Sequence, residues 1–156
     1  MKAAVFSDSH GQTVLMEEAL RRTRPDVIIH LGDLDRDAAR LRQCFPEIPL
    51  YSVCGNCDLM PLSPPRETVQ LGPVKAFLTH GHLYSVKFGS VDSLVYAAME
   101  AGASIALFGH THEPMNKQIG GVHVINPGTA GKGRRPTYAV LEIFDNGGVY
   151  CSIKEL

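Results

Sequence analysis

Two histidines one residue apart, His110 and His112, close the stretch Leu107-Phe108-Gly109-His110-Thr111-His112-Glu113-Pro114. Imidazole is the side chain most used to ligate divalent metals and to carry protons near neutral pH. Ser104 to Phe108 is a short apolar run of the kind a buried strand shows, and Gly109 ends it. Residues two apart on an extended segment point to one side, so His110 and His112 are expected to face a single target. Four further polar clusters lie upstream, each where an apolar run stops: Asp8 with His10, Asp33, Asn56, and His80 with His82.

Asp8, His10, Asp33, Asn56, His80, His110 and His112 together offer two carboxylates, four imidazoles and an amide. That set suits a pair of transition-metal ions better than one. Nitrogen donors argue against magnesium and calcium, which prefer all-oxygen shells, and for Mn, Fe, Ni, Co or Zn. A carboxylate shared by two cations holds them roughly 3.5–4 Å apart, a spacing that lowers the pKa of a shared water and clamps the oxygens of a phosphoryl group. Each residue also has a plainer reading. Asp8 and Asp33 could cap the helices that follow them. Asn56 after Gly55 could be a turn residue, and His80 a surface histidine. The pattern does not decide between His80 and His82. His30 reads as a core or supporting histidine, and His123 as structural or exposed.

The elements that must position these residues follow from hydrophobic periodicity. Lys2 to Phe6 reads as a strand, Thr13 to Arg22 as a helix with Val14, Leu15, Ala19 and Leu20 at helical spacing, and Asp26 to Leu31 as a second strand. A second helix spans about Arg36 to Cys44, and Leu50 to Val53 is a third strand. Strand–helix–strand alternation implies right-handed crossovers and a parallel sheet, with ligands beyond the carboxyl ends of its strands. Asp8, His10, Asp33 and Asn56 all fall at that end. Met60 to Arg66, with three prolines, is a loop placed to cover the site. Glu67 to Leu71 and Val74 to Thr79 form a strand pair, and Ser90 to Ala101 is a helix with Val91, Leu94, Val95, Ala98 and Met99 on one face. Gly121 to Ile125, Pro136 to Phe144 and Gly148 to Ile153 are three later strands, the last two joined by the turn Asp145-Asn146-Gly147-Gly148. Two packed sheets with helices outside, in one domain spanning residues 1–156, fit this order.

The chain has 156 residues, 44% apolar and 20% charged, with a formal net charge of -1, as a folded globular domain requires. Apart from the local cluster Lys132-Gly133-Arg134-Arg135 there is no basic run, so charge makes no case for nucleic-acid or membrane binding. No stretch approaches the roughly 20 apolar residues of a membrane span, and no secretory signal opens the sequence, so the cytoplasm is the expected location. Cys44, Cys54, Cys57 and Cys151 are too scattered for a disulfide framework, and the Cys54/Cys57 pair lacks the second pair of a zinc site.

Asp8-x-His10, Gly32-Asp33, Gly55-Asn56-Cys57-Asp58, His80-Gly81-His82 and Gly109-His110-Thr111-His112 occur in an order and spacing that resemble the calcineurin-like metallophosphoesterases, in particular their small YfcE-like phosphodiesterase branch. The resemblance covers essentially the whole chain, and Asn126-Pro127-Gly128-Thr129 is similar to that branch's late loop. It implies a four-layer αββα sandwich of two mixed β-sheets. It also implies a dinuclear site, with manganese the favoured ion: Asp8, His10 and His112 on one metal, Asn56, His80 and His110 on the other, and Asp33 between them. A bridging hydroxide would attack a small phosphoester in line, with Asn56, Asp33, His80 and His110 as the catalytic group. Much of the superfamily has histidine where this chain has Cys57. That histidine is thought to protonate the leaving group, and a neutral thiol is a poor substitute. Asp58 is then expected to be structural. The competing readings are a non-catalytic metal-binding scaffold of the same fold, like the retromer subunit, a phosphomonoesterase, or a nuclease, the last disfavoured by the missing basic track. A homo-oligomer is left open.

Overall fold

Alternate residues of a strand face opposite sides of its sheet, so a strand covered on both faces must be apolar throughout. The computed structural model, which describes residues 1–131, 133 and 135–156, shows this in the four buried residues Ala3, Ala4, Val5 and Phe6 of β1 (Lys2–Phe6). Ala3 and Val5 enter a core between two sheets, whereas Ala4 and Phe6 enter a second core beneath helices. Lys132 and Arg134 of the basic cluster lie outside the described residues.

From β1 the chain continues through α1 (Thr13–Thr23), β2 (Val27–His30), α2 (Asp35–Cys44) and β3 (Leu50–Ser52). Then come β4 (Arg66–Leu71), β5 (Val74–Thr79), α3 (Asp92–Glu100), β6 (Ile105–Leu107), β7 (Met115–Ile119), β8 (Val122–Asn126), β9 (Thr137–Ile143) and β10 (Val149–Glu155). One sheet has the order β10-β9-β1-β2-β3 and the other β4-β5-β6-β8-β7. β1, β2 and β3 are parallel, as are β5, β6 and β8; the antiparallel strands β9 and β10 extend the first sheet on the β1 side alone, whereas β4 and β7 flank the second on both sides. Val5, Ile29 and Leu31 of the first sheet meet Leu78, Ile105 and Leu107 of the second in the central core. α1 and α2 cover the first sheet with Met16, Leu20 and Leu41, and α3 covers the second with Leu94, Val95 and Ala98. The result is the expected four-layer αββα sandwich.

Three local expectations are corrected. Val14 is 61% exposed, and α1 instead packs through Met16, Ala19 and Leu20, with buried Glu17 tied to Arg40 of α2 at 2.9 Å. Met99 of α3 is likewise half exposed. β7 was not anticipated. It is an edge strand whose middle residues, Asn116, Lys117 and Gln118, are all exposed, so it carries no apolar alternation to betray it.

A close backbone approach lies at the carboxyl end of the first sheet. Gly32 has φ +95°, and a Cβ there would come within 2.6 Å of the Gly55 nitrogen. The loops after β2 and β3 can therefore touch only because both residues lack side chains. Gly32→Ala should destabilise the protein by about 2–3 kcal/mol, since left-handed strain and a backbone clash add. Gly147→Ala, at φ +83° with open space around it, should cost about 1–2 kcal/mol from strain alone. Denaturant midpoints of the two variants compare these costs.

Candidate metal centre

Each of the seven candidate ligands follows a strand end: Asp8 and His10 follow β1, Asp33 β2, Asn56 β3, His80 β5, and His110 and His112 β6. Asp8, His10, Asp33, His110 and His112 all adopt positive φ, between 46° and 68°. Among the described non-glycine residues only Arg24 and Ser85 share that conformation. A left-handed residue with a Cβ costs roughly 1–2 kcal/mol, so backbone strain is concentrated here.

Those turns overturn one expectation. His110 and His112 are not on an extended segment, because β6 stops at Leu107 and the Thr111 amide bonds back to the Gly109 carbonyl at 2.8 Å. The two-residue alternation is lost and the imidazoles diverge. His112 Nε2 lies 3.0 Å from Asp8 Oδ1, while the His110 ring packs against His80 with centroids 4.9 Å apart. The capping readings also fail, since the helix N-caps are Gln12 and Leu34, with no side-chain caps.

Three groups of side chains bring ligand atoms within 4.8 Å of one another: Asp8, His10 and His112; His10, Asp33 and Cys57; and Asp8, Asp33 and His80. Shared members join them into one polar basin. Asp8 is fully buried, and its Oδ2 accepts from the Ser7 hydroxyl at 2.6 Å and the His110 amide at 3.0 Å. Its Oδ1 makes no hydrogen bond, although His112 Nε2 lies 3.0 Å away. His80 is fixed from behind by Nδ1 on the Leu31 carbonyl at 2.7 Å, and its buried Nε2 is also unpartnered, 3.8 Å from Asp8 Oδ1 and 3.5 Å from Asp33 Oδ2. Buried polar atoms are rarely left so. Two such atoms facing each other beside a second carboxylate fit a cation, and the mixed nitrogen and oxygen donors fit a transition metal.

Electrostatics agree. Burial would raise the Asp33 pKa, but His80 and the Cys57 amide, 3.0 Å from Oδ1, hold the carboxyl well below its usual range. Burial and the neighbouring His80 push His110 down to about 4, which keeps a lone pair free at neutral pH. Burial pushes the Cys57 thiol up, as does Asp33, so it stays protonated.

His80 rather than His82 enters the basin. Asn56 does not: its exposed amide donates to Cys57 Sγ at 3.6 Å, and among the described residues it makes no hydrogen bond to the carboxylates or imidazoles. Asp58 accepts from the amides of Asp35 and Gly55, both at 2.7 Å, a structural role as expected. Asn126 donates to the Gly109 carbonyl and the Thr111 hydroxyl, and Thr129 to the Asp8 carbonyl, so the late loop braces both ligand loops. Sequence reasoning missed Ser7, whose hydroxyl carries no signal until the burial of Asp8 is known. It also missed the buried chain in which Ser9 Oγ meets Asp37 Oδ2 at 2.7 Å and His30 Nε2 at 3.0 Å. His123 bonds Asn116 at 2.7 Å on the surface.

Two packed mixed sheets, flanked by helices and gathering carboxylates and imidazoles where strands of both end, define the metallophosphoesterase class of fold. The chain belongs to the calcineurin-like phosphoesterase superfamily, whose domain model matches residues 1–146. Phosphodiesterase YfcE of Escherichia coli K12 is 29% identical over 173 residues, covering 91% of this chain and 88% of its own. The crystal structure of a predicted phosphoesterase from Streptococcus pneumoniae TIGR4 is 30% identical with a TM-score of 0.77, covering 99% of this chain and 97% of that one. Zinc-complexed Vps29 from Entamoeba histolytica, at 23% identity, a TM-score of 0.76 and 99% coverage of both chains, shares the fold. Among the described residues no helix is long and apolar enough to cross a membrane.

His30 provides a pH signature. Burial lowers its pKa against the opposing pull of Asp37, so the unfolded state takes up its proton first as pH falls. Stability from this group is present above about pH 6.5 and is lost below it, by up to about 1.4 kcal/mol per pH unit. His110 and His82 act with the same sign, and His80, whose pKa is raised, with the opposite. Urea melts of metal-free protein from pH 7.5 to 5 should show a shallower decline for His30→Asn than for wild type.

Proposed function

We propose that this chain is a single-domain, metal-dependent phosphodiesterase with a dinuclear centre. The observation that carries the reading is the pair of unpartnered buried atoms, Asp8 Oδ1 and His80 Nε2, aimed into one basin that three overlapping ligand groups enclose. Asp8, His10 and His112 would hold one ion, His80, His110 and Asn56 the other, and Asp33 would be shared. Asn56 would join by turning its amide away from Cys57, which its exposed position leaves free. When bound, two divalent ions, manganese first among Mn, Ni, Fe, Co and Zn, supply Lewis acidity, a water of lowered pKa and a clamp for in-line displacement at phosphorus.

The chain's own groups supply the rest. His80, held by the Leu31 carbonyl, presents Nε2 in a fixed direction. The Asn56 amide would donate to a phosphoryl oxygen as charge builds there. Cys57 stands where a proton donor would serve the leaving alcohol, and its thiol is a weak one. The reading therefore favours esters whose alcohols leave unassisted. Four free cysteines suit a reducing compartment such as the cytoplasm.

Reconstitution with manganese followed by elemental analysis should give about two ions per chain, and the loaded protein should turn over bis(p-nitrophenyl) phosphate. Two ions without turnover would instead support a scaffold. Asp33→Asn should lose more metal than Asn56→Ala, because Asp33 alone is charged and shared; equal loss in the two would contradict the shared role. Cys57→His should raise turnover of alkyl esters about tenfold or more relative to nitrophenyl esters, a part of the roughly 10²–10⁴-fold that a well-placed acid contributes. Metal loss in Cys57→Ala would refute its place outside the ligand set.

A further inference from the structure

The loop after β3 combines two features that rarely occur together. Leu59, Met60 and Leu62 are 94%, 90% and 84% exposed, yet the backbone beneath them is pinned. The buried carboxylate of Asp35 accepts from the Leu62 amide at 2.6 Å, the Ser63 amide at 2.7 Å and the Ser63 hydroxyl at 2.6 Å. The Cys54 amide bonds the Pro64 carbonyl at 2.9 Å, and the Ser52 and Ser63 hydroxyls meet at 2.6 Å. A segment that needed only to connect β3 to β4 has no use for a buried acid holding three apolar side chains in water. The arrangement preorganises an apolar wall.

That wall bounds a cavity of about 490 Å³, lined by Leu34, Cys57, Leu59, Met60 and Leu62 together with the charged residues Asp35, Arg36 and Asp58; the two carboxylates are taken up by backbone amides. The volume falls within the range of small-molecule sites. Its position decides the occupant. Cys57 lines the cavity and also belongs to the metal-ligand basin, with its sulfur within 4.8 Å of ligand atoms of His10 and Asp33. With its leaving oxygen beside Cys57, a phosphoryl group in the basin would set its retained ester arm against the Leu59, Met60 and Leu62 side of the cavity. We infer that this cavity is the subsite for an apolar, ring-sized arm of the substrate, making the preferred substrate class phosphodiesters that bear an aromatic or comparably flat apolar group. The inference rests on the phosphodiesterase reading above.

The test compares kcat/KM of manganese-loaded protein for phenyl p-nitrophenyl phosphate and methyl p-nitrophenyl phosphate. These esters share a leaving group and differ in the second arm. Single methylenes in apolar pockets discriminate by about 10–200-fold, so wild type should favour the phenyl ester by about tenfold or more. A Leu59→Ser/Met60→Ser/Leu62→Ser variant, altered at exposed positions, should bring the ratio towards one while metal content and thermal midpoint stay at wild-type values. A wild-type ratio near one, or a ratio that survives in the triple variant, overturns the subsite and leaves the phosphodiesterase reading standing. No turnover of either ester by protein holding two ions overturns that reading and the subsite with it. Light scattering on the same samples supplies the last arm. A wild-type oligomer that dissociates in the triple variant, with the ratio unchanged, assigns the loop to a contact between copies and overturns the subsite.

Discussion

Two carboxylates buried side by side set the terms for the rest of this structure. Asp8 and Asp33 present oxygens within 4.8 Å of each other, and neither is appreciably exposed. At that spacing two unit charges repel by roughly 3–4 kcal/mol at an effective dielectric of about 20. The fold answers with fixed donors. Asp8 receives the Ser7 hydroxyl and the His110 amide, Asp33 the Cys57 amide, and His80 stands between them with a raised pKa. The left-handed turns that bring those donors into place cost strain, which the buried apolar residues of the strands behind them must offset. Asp8 Oδ1 still lacks a donor, and on the proposed reading a cation completes the balance.

Much of this could be read from residue types. An apolar strand that ends abruptly in a polar cluster leaves the same trace whatever the loop conformation, so Asp8, Asp33, His80 and the histidines after β6 were visible. Loop geometry was not. The alternation argument for His110 and His112 assumed an extended backbone, and a tight turn after Gly109 replaced it, setting one ring against His80 and the other beside Asp8. Asn56 illustrates the same gap from the other side: its position was legible, but the direction of its amide is not a property of sequence. β7 escaped because only its end residues, Met115 and Ile119, are partly covered, leaving no apolar alternation along the strand. Ser7 and the Ser9–Asp37–His30 chain escaped because short polar residues look alike until burial separates them.

Cys57 connects the chemistry with its surroundings. Its amide steadies Asp33, while its sulfur lies in the basin and also lines the neighbouring cavity. A single residue thus couples the geometry of the ligand set to whatever fills the space beside it. Asp35 and Asp58 extend that coupling rearward, since one pins the loop beyond Cys57 and the other ties the Gly55 turn to the start of α2.

The basin has another property, which follows from where its walls come from. Asp8, His10 and Asp33 belong to the sheet of β1 and β2, and His80, His110 and His112 to the sheet of β5 and β6. Between the sheets the central core is built from aliphatic side chains, whose contacts have no preferred direction and resist sliding only by interlocking. A displacement of one layer along the other would change every distance that crosses the seam, beginning with the 3.0 Å approach of His112 to Asp8. Shear between the layers and the shape of the polar basin are therefore one mechanical coordinate. Core substitutions far from any ligand, if they let the layers slip, should register at the basin as misalignment before they register as loss of fold.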